Sequence, residues 1–481
     1  MHKTQLLIGE DWVDASAGAT ADTVDPASGE VVGVFADGTA ADVDAAVAAA
    51  RAGFESDAWQ SLSPDARGKL LWKVAELIEE NGQELAALET MDQGQPIFIS
   101  SNVNVPLAAQ VFRYYAGFAT KIEGKVSPVS IPNQLIYQQR APLGVCGLIT
   151  PWNFPLAIAA WKLAPALATG NAAILKPAEQ TPLSTVRLAE ICREAGIPAG
   201  VVNLVTGGPE AGQALVAHQG VDMISFTGST AVGQEIVKAS ARDLKRLGLE
   251  LGGKAASIIC DDADVDAAVT GNLQGALFNT GQACGAFTRF LVHRSRVDEF
   301  TSKLAAAADS LPIGPGRDPE TFVGPLVSEE HLNRVAGYVA SGRDQGAELV
   351  TGGERVGGDL ERGFFYRPTV FAGVQNDMTI AQEEIFGPVL SVMPFDDMDE
   401  ALSIANSTVY GLVGVVWTQD LRTAHTLPQR INAGTVFVNQ LPLIDPGAPW
   451  GGLGLSGWGR ELGAYSIDEF TETRSVFINL A

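Results

Sequence analysis

The 481-residue sequence predicts an α/β protein built on doubly wound parallel sheets. From residue 144 onward, apolar runs of about strand length alternate with helical patterns, which is typical of βαβ units. The apolar runs indicate strands that helices cover on both faces of a sheet. The length exceeds what one hydrophobic core usually holds, so we expect two or three domains.

The first third of the chain begins with short strand-like pieces and continues with helices. Thr39 and Asp42 have the spacing of a capping box before an Ala-rich run. Ser63 and Pro64 are typical of a helix start, because Ser caps the free N–H groups and Pro suits the first helical position. We expect these helices to serve packing.

The next part of the chain alternates regularly between strands and helices. The predicted strands cover residues 144–150, 172–176, 201–205, 221–226 and 245–251, and the predicted helices cover 154–168, 183–194, 210–218 and 231–240. A second α/β stretch begins near residue 255 and continues to about residue 452. Ligands of such sheets bind beyond the carboxyl ends of the strands, so polar residues at those ends are the candidates for chemistry.

Two segments fit neither α/β unit. Residues 124–140 alternate in polarity like a strand, and residues 473–480 form a short strand-like tail. Strands outside a core often pair between subunits, so we expect these segments to contribute to an oligomer interface.

Composition excludes several classes of protein. The net charge of −24 argues against nucleic-acid binding, which requires a basic face. No apolar run is long enough for a transmembrane helix, and the first residues resemble neither a signal nor a transit peptide, so we expect a cytoplasmic protein. The four cysteines and five histidines have no metal-site spacing, so we expect no metal.

Cys284 is the candidate nucleophile. It follows Gly281 in a loop after an apolar helical run, and a catalytic cysteine needs such a polar, donor-rich position to ionise. An inert loop cysteine is the alternative. Cys146, Cys192 and Cys260 lie in apolar strand or helix patterns and are interpreted as core residues.

Glu250 stands at a predicted strand end between two leucines. Burying a carboxylate is costly without a task or a partner, and a desolvated Glu is a suitable general base for water. A surface Glu on an edge strand is the alternative. Asn153, at the start of a helix, either caps that helix or donates its side-chain amide to an oxyanion.

Two further turns suit a dinucleotide. Gly228, Ser229 and Gly233 lie in a strand-to-helix turn, where N–H groups and hydroxyls favour a pyrophosphate, although the turn departs from the usual glycine fingerprint. Lys176 and Glu179 follow a strand directly and suit ribose or phosphate. A salt-bridged surface pair is the alternative.

These segments together match one family in order and spacing. The chain resembles the aldehyde dehydrogenase superfamily over essentially its whole length. The matching segments are 150–156 (TPWNFPL), 176–179 (KPAE), 226–230 (FTGST), 249–254 (LELGGK), 281–284 (GQAC), 383–389 (EEIFGPV) and 456–463 (SGWGRELG).

The resemblance implies a mechanism. Cys284 attacks the aldehyde carbon to give a thiohemiacetal, whose oxyanion the Asn153 amide and the Cys284 N–H hold. Hydride passes to the nicotinamide and leaves a thioester, which water activated by Glu250 hydrolyses. Lys162 and Glu461 match positions that resemble a proton relay. The presence of Glu250 argues against the branch that transfers the acyl group to coenzyme A.

The resemblance also implies the binding residues for NAD. Lys176 and Glu179 contact the adenosine ribose, Ser229 the pyrophosphate and Glu384 the nicotinamide ribose, with Phe386 nearby. The full expected cofactor set is Trp152, Lys176, Glu179, Gly228, Ser229, Gly233, Leu251, Glu384 and Phe386. Because a carboxylate repels a 2′-phosphate, Glu179 favours NAD, while use of NADP stays open.

The expected substrate pocket is apolar and aromatic. Its residues are Leu107, Phe154, Trp161, Phe278, Ile444 and Trp450. With no Arg to bind a substrate carboxylate, this set favours an aliphatic or aromatic aldehyde. Trp450 also resembles the branch that oxidises betaine aldehyde or aminoaldehydes, where aromatic faces hold a cation. A semialdehyde dehydrogenase, a cofactor-independent thiol esterase and a non-catalytic NAD-binding structural protein are the remaining alternatives.

The expected domain organisation follows the family. Residues 1–123 and 141–253 form an NAD-binding domain and residues 254–455 a catalytic domain, both Rossmann-like. Residues 124–140 and 456–481 form a small β oligomerisation segment. We expect a homo-oligomer, a dimer or a tetramer, with a small-molecule aldehyde as the other partner and no nucleic acid or membrane.

Overall fold

A computed structural model describes residues 2–481 of the chain. Two large sheets, each flanked by helices, form the body of the protein, and smaller sheets lie at its margins. The predicted α/β fold class with Rossmann-like parallel sheets is confirmed. The predicted element bounds between residues 144 and 251 agree with the structure to within two residues.

The first sheet contains eight strands. In order across the sheet they are Gly457–Trp458, Arg246–Glu250, Met223–Thr227, Val145–Ile149, Ala172–Lys176, Val202–Leu204, Leu6–Ile8 and Asp11–Val13. The five from Arg246–Glu250 to Val202–Leu204 are parallel, and the outer strands pair antiparallel. The parallel strands therefore end at one common edge.

Helices accompany this sheet throughout. They are Ala40–Glu55, Pro64–Glu80, Gly82–Gln93, Val105–Phe118, Pro155–Ala168, Leu183–Glu194, Pro209–Ala217 and Thr230–Ser240. The capping box of Thr39 and Asp42 is present, and the Ser63 hydroxyl accepts from the Ala66 N–H with Pro64 at the first position. Helix Pro155–Ala168 is buried at every residue, which explains its uniformly apolar sequence.

The second sheet contains seven strands. In order they are Glu348–Thr351, Thr369–Ala372, Val389–Phe395, Arg289–His293, Ala256–Ile259, Val413–Trp417 and Thr435–Val438, and all pairs except the first are parallel. Its helices are Val265–Leu277, Val297–Asp309, Glu329–Asp344, Thr379–Gln382, Met398–Ala405 and Leu421–Thr426. One apolar core continues from Leu148 in the first sheet to Phe290 in the second, so the two units are packed together.

A third sheet joins the two strand-like segments that stand outside the α/β units. Thr471–Asn479 pairs antiparallel with Gln134–Pro142, which pairs in turn with Lys125–Ser127. The short strand Gly457–Trp458 instead joins the first sheet beside Arg246–Glu250, so residues 456–481 are divided between two sheets. Val126 and Phe477 are exposed on the third sheet (70% and 62%).

The remaining elements are short. His2–Thr4, Thr20–Asp25 and Glu30–Ala36 form a three-stranded sheet, and Tyr410–Gly411 pairs with Leu453–Gly454. Short helices and turns cover Asp57–Gln60, Ile97–Ile99, Ser100–Asn104, Ala119–Lys121, Phe278–Gly281, Arg294–Arg296, Gly358–Leu360, Pro428–Arg430 and Ser466–Glu469. Among residues 2–481, no helix combines the length and the apolar character that crossing a bilayer demands.

Candidate active site

A groove of about 950 Å³ opens where the parallel strands of the first sheet end and the second unit begins. Strand pairing explains why functional side chains meet there. Lys176 ends its strand opposite Ile149, and Glu250 ends its strand opposite Thr227. The predicted residues that line the groove are Trp152, Asn153, Lys176, Glu179, Gly228, Ser229, Glu250, Leu251, Cys284, Glu384 and Phe386.

The loop that carries Cys284 is held by the loop that carries Asn153. The Asn153 side-chain amide donates to the Gln282 carbonyl at 2.9 Å, and the Asn279 amide donates to the Asn153 carbonyl at 3.0 Å. Asn279 and Thr280 are both buried with positive φ (48° and 60°), so surrounding contacts must maintain this turn. Asn153 does not cap the following helix, since Phe154 is its N-cap residue.

Glu250 is buried (3% exposed) and lines the same groove as Cys284, near enough for its charge to act on the thiol. Burial, reinforced by the neighbouring Glu461 carboxylate, raises the pKa of Glu250 to about 8. Burial and the carboxyl groups of Glu250 and Glu384 also raise the pKa of Cys284 well above that of a free thiol. The nucleophile candidate is therefore protonated at neutral pH unless an adjacent base takes its proton.

A buried ion pair lies behind Glu250. Lys162 forms a salt bridge with Glu461 and donates to the Ser225 hydroxyl at 3.0 Å. The second Glu461 oxygen, Oε2, is buried and has no hydrogen-bond partner. Glu250 and Glu461 line a common small cavity of about 20 Å³, which is large enough for one water molecule.

The opposite end of the groove contains Lys176 and Glu179. Burial lowers the pKa of Lys176, and the negative charges of Glu179 and Asp37 oppose that effect. Ser229 is the N-cap of helix Thr230–Ser240, whose N-terminus faces the groove. Gly233 does not line the groove. A side chain at that position would collide with the Leu251 side chain, at 2.6 Å.

Hydrogen bonds from two other parts of the chain hold the loop of Glu384 and Phe386 in place. Glu384 accepts a hydrogen bond from the Gly253 N–H at 2.9 Å, and burial raises its pKa to about 7. Helix Glu329–Asp344 reaches the same loop through Arg334, which donates to the Glu384 carbonyl at 2.9 Å, and through His331. His331 and Arg334 line the groove, but the sequence reasoning missed them. The sequence did contain a signal for them: both residues lie in the first turns of the helix that Ser328 caps, about one helical turn apart and so on the same face.

Of the six residues expected to form the substrate pocket, Leu107, Trp161 and Trp450 belong to the large apolar core, and Phe154 and Ile444 pack against it, as Cys284 does. The rings of Phe154 and Phe278 stack at 5.7 Å, and those of Trp161 and Trp450 meet edge-on at 6.3 Å. None of the six lines the groove. No member carries a charge, so the expected pocket is apolar and aromatic.

The other cysteines and candidate metal ligands lie elsewhere. Cys146, Cys192 and Cys260 are buried in the core, and burial raises the pKa of each. Within residues 2–481, no group of three or more His, Cys, Asp or Glu side chains is arranged to hold a metal ion.

Comparison with known proteins identifies the family. A sequence model of the aldehyde dehydrogenase family matches residues 12–476. The chain is 45% identical over 479 residues to the mitochondrial aldehyde dehydrogenase of Homo sapiens, covering 99% of this chain and 92% of the human protein. It is 43% identical over 481 residues to the phenylacetaldehyde dehydrogenase of Pseudomonas fluorescens, covering 98% and 95% of the two chains.

A solved structure agrees with both relatives. The NAD⁺ complex of an aldehyde dehydrogenase from Bacillus cereus superposes with a TM-score of 0.98 at 44% identity, covering 100% of this chain and 97% of that one. The predicted oxidoreductase class and the predicted family are confirmed: this chain belongs to the aldehyde dehydrogenase family.

Proposed function

We propose that the protein oxidises an apolar aldehyde to the carboxylic acid with NAD, using Cys284 as the nucleophile. The observation that carries this proposal is the meeting of Cys284, Glu250 and Asn153 at one wall of a single groove. Nucleophile, base and amide donor are the groups that acyl chemistry on a cysteine requires.

The first step joins the Cys284 sulfur to the aldehyde carbon. Because Glu250 lies near the thiol and has a pKa of about 8, its ionised form is a suitable acceptor for the thiol proton. The carbonyl oxygen becomes an oxyanion as the carbon–sulfur bond forms. One Asn153 amide hydrogen is bound to the Gln282 carbonyl, which leaves the second to donate to that oxyanion together with the Cys284 N–H.

The rest of the groove suits NAD. Its volume is large enough for a dinucleotide-sized ligand. The buried Lys176 at a strand end provides a cation, the helix N-terminus at Ser229 provides N–H donors, and the partly buried Glu384 provides a ribose acceptor. Trp152, Gly228, Leu251 and Phe386 complete the wall, and Gly233 supports it through its contact with Leu251. NAD, when bound, accepts the hydride that leaves the substrate carbon and so brings it to the oxidation level of a thioester. Glu179 favours NAD over NADP because a carboxylate repels a 2′-phosphate.

The second half of the reaction hydrolyses the thioester. Once Glu250 has passed on the thiol proton, it takes a proton from water, the water oxygen bonds to the acyl carbon, and the carbon–sulfur bond breaks to release the acid and the Cys284 thiolate. Glu250 must then lose its proton to be ready again. Glu461, whose Oε2 is unpaired, lines the small cavity with Glu250, and together with its ion-pair partner Lys162 it provides a route for the proton away from the active site. Hydrolysis by Glu250 disfavours transfer to coenzyme A.

The substrate class follows from the wall beside Cys284. Four aromatic rings and two aliphatic side chains favour an aliphatic or aromatic aldehyde. Betaine aldehyde or an aminoaldehyde is the second candidate, since the faces of Trp161 and Trp450 suit a cation. A semialdehyde is disfavoured because none of the six residues is cationic. A panel of aldehydes differing in length, ring content and charge, followed by NADH absorbance, distinguishes the three.

The exposed apolar residues of the third sheet favour a homo-oligomer, a dimer or a tetramer, in which that sheet meets another subunit. A cytoplasmic location remains a prediction from the sequence.

The decisive experiment changes one sulfur to oxygen. Cys284→Ser should abolish aldehyde oxidation while NAD binding, measured by calorimetry, persists. Cys260→Ala, at a buried thiol remote from the groove, is the matched control and should stay active. Substantial turnover by Cys284→Ser contradicts the assigned nucleophile.

A further inference from the structure

Trp450 does more than line the apolar wall. Its indole Nε1 lies 3.1 Å from Oε1 of Glu250, a residue 200 positions earlier in the chain. Both residues are almost fully buried (5% and 3% exposed). A buried indole N–H usually finds an acceptor, and here the acceptor is the carboxylate proposed to activate water.

The indole has little freedom to leave that position. Trp450 and Glu461 exchange two backbone hydrogen bonds, at 2.7 and 2.8 Å. The Trp161 ring packs edge-on against the indole. On another side, a Cβ added to Gly285 would lie 3.0 Å from the indole ring, so the ring lies close against the chain directly after Cys284. The N–H therefore has a fixed direction.

We propose that Trp450 is a positioning residue for the general base, whose indole N–H holds one oxygen of Glu250 while the carboxylate serves Cys284 and the attacking water. This inference rests on the proposed function, because it assigns Trp450 a role through Glu250. It adds to the expected part of Trp450 in the substrate wall.

The charges around Glu250 explain why such a donor matters. Burial and the Glu461 and Glu384 carboxylates disfavour the ionised form, whereas the Lys162 ammonium favours it. The titratable and charged groups that face Glu250 or line the adjoining small cavity are Cys284, Glu384, Lys162, Glu461, Arg460 and Glu469. A hydrogen bond from Trp450 stabilises the carboxylate specifically and so lowers the pKa of Glu250 against the effect of burial.

Trp450→Phe tests this role. The phenyl ring of Phe remains aromatic but lacks the part of the indole that carries the N–H donor. Loss of the donor should raise the pKa of Glu250, so the acid limb of the kcat profile should move to higher pH by about one unit. At pH 7 the turnover rate should fall roughly tenfold, since both thiol deprotonation and thioester hydrolysis use the ionised form of Glu250. A residue that only shapes the pocket would change KM and leave the acid limb in place.

Trp417→Phe is the matched control, since its indole N–H is buried without a hydrogen-bond partner and Trp417 ends a strand of the second sheet without lining the groove. Its acid limb should coincide with that of the wild type. An unshifted limb in Trp450→Phe, or an equal shift in Trp417→Phe, overturns the proposed role of Trp450.

Glu250→Gln separates this inference from the proposed function. If this variant oxidises aldehydes like the wild type, aldehyde oxidation stands, but Glu250 is not the base and the proposed roles of Glu250 and Trp450 both fail. If it loses turnover while Trp450→Phe keeps the wild-type profile, only the role of Trp450 fails.

A measurement on the wild type covers the case in which Trp450→Phe does not fold. Tryptophan emission should change across the titration of Glu250, because the hydrogen-bonded carboxylate gains or loses charge beside the indole. The same change should be absent in Glu250→Gln. An emission profile identical in the two proteins contradicts the hydrogen bond.

Discussion

The ring Nε2 of His331 lies 2.7 Å from the carbonyl oxygen of Phe386. Phe386 has a positive φ of 62°, a conformation that a bulky residue adopts only when its surroundings impose it. The Trp152 ring packs edge-on against both residues, at 5.3 and 5.1 Å from their ring centres. His331 thus holds the loop whose Glu384 faces the groove.

Removing this donor should loosen the proposed nicotinamide end of the groove. We expect His331→Ala to raise KM for NAD roughly tenfold, the loss that one hydrogen bond and a relaxed backbone imply. Steady-state kinetics with NAD as the varied substrate measure the effect. His331→Gln, which offers another N–H donor, should recover part of it, and equal losses in the two variants would rule out the hydrogen bond as the cause.

The contribution of His331 should not depend on pH in the neutral range. Burial lowers the pKa of His331 to about 4, so the ring stays neutral and keeps one N–H donor from about pH 5 upward. The ratio of wild-type to His331→Ala kcat/KM for NAD should therefore be constant between about pH 6 and 9. A ratio that changes near pH 6.5 would indicate a titrating imidazole.

Coenzyme preference should depend on Glu179. We expect Glu179→Gln to raise kcat/KM for NADP by about tenfold or more, because the repulsion of a 2′-phosphate is lost. Glu235→Gln is the matched control. Glu235 also lines the groove, but it pairs with Lys238 and should leave the coenzyme ratio unchanged. Equal changes in both variants would indicate that the overall negative charge of the groove, and not recognition of the ribose by Glu179, determines the coenzyme preference.

The Lys162–Glu461 pair should be sensitive to the loss of either partner. Lys162→Met leaves a largely buried carboxylate without its cation, and we expect the free energy of unfolding to fall by about 3–5 kcal/mol. Adding Glu461→Gln removes the unpaired charge and should restore much of that stability. Urea denaturation of the two variants measures both effects, and a double variant no more stable than the single one contradicts this account.

The exposed face of the third sheet offers a test of assembly. Val126 and Phe477 are apolar and exposed, and a charge at either position should oppose burial against another subunit. We expect Phe477→Glu to shift the molar mass seen by light scattering toward that of a single chain. Leu244→Glu is the control, since Leu244 is 90% exposed but lies outside the third sheet. An unchanged mass in Phe477→Glu would place the interface elsewhere.

Much of the fold could be read from local patterns. Secondary structure depends largely on residues that are close together in the chain, such as an apolar run or a helix-start residue. The strand Ala172–Lys176 and the helix Leu183–Glu194 therefore have the predicted bounds. The strand-like character of residues 124–140 and 473–480 was visible too. Their pairing with each other was not, because strand partners are chosen by packing and not by local sequence.

The candidate site divides in the same way. The strand and turn pattern was enough to predict which chemical groups stand at the strand ends, such as Lys176 and Glu250, because a parallel sheet brings those ends to one edge. The hydrogen bond from Trp450 to Glu250 and the one between His331 and Phe386 became visible only in the folded chain. These contacts join residues that lie far apart in the chain, and the packing of loops and helices sets the distance and direction of each contact. Periodicity and spacing report only on neighbouring residues, so they could not predict these contacts.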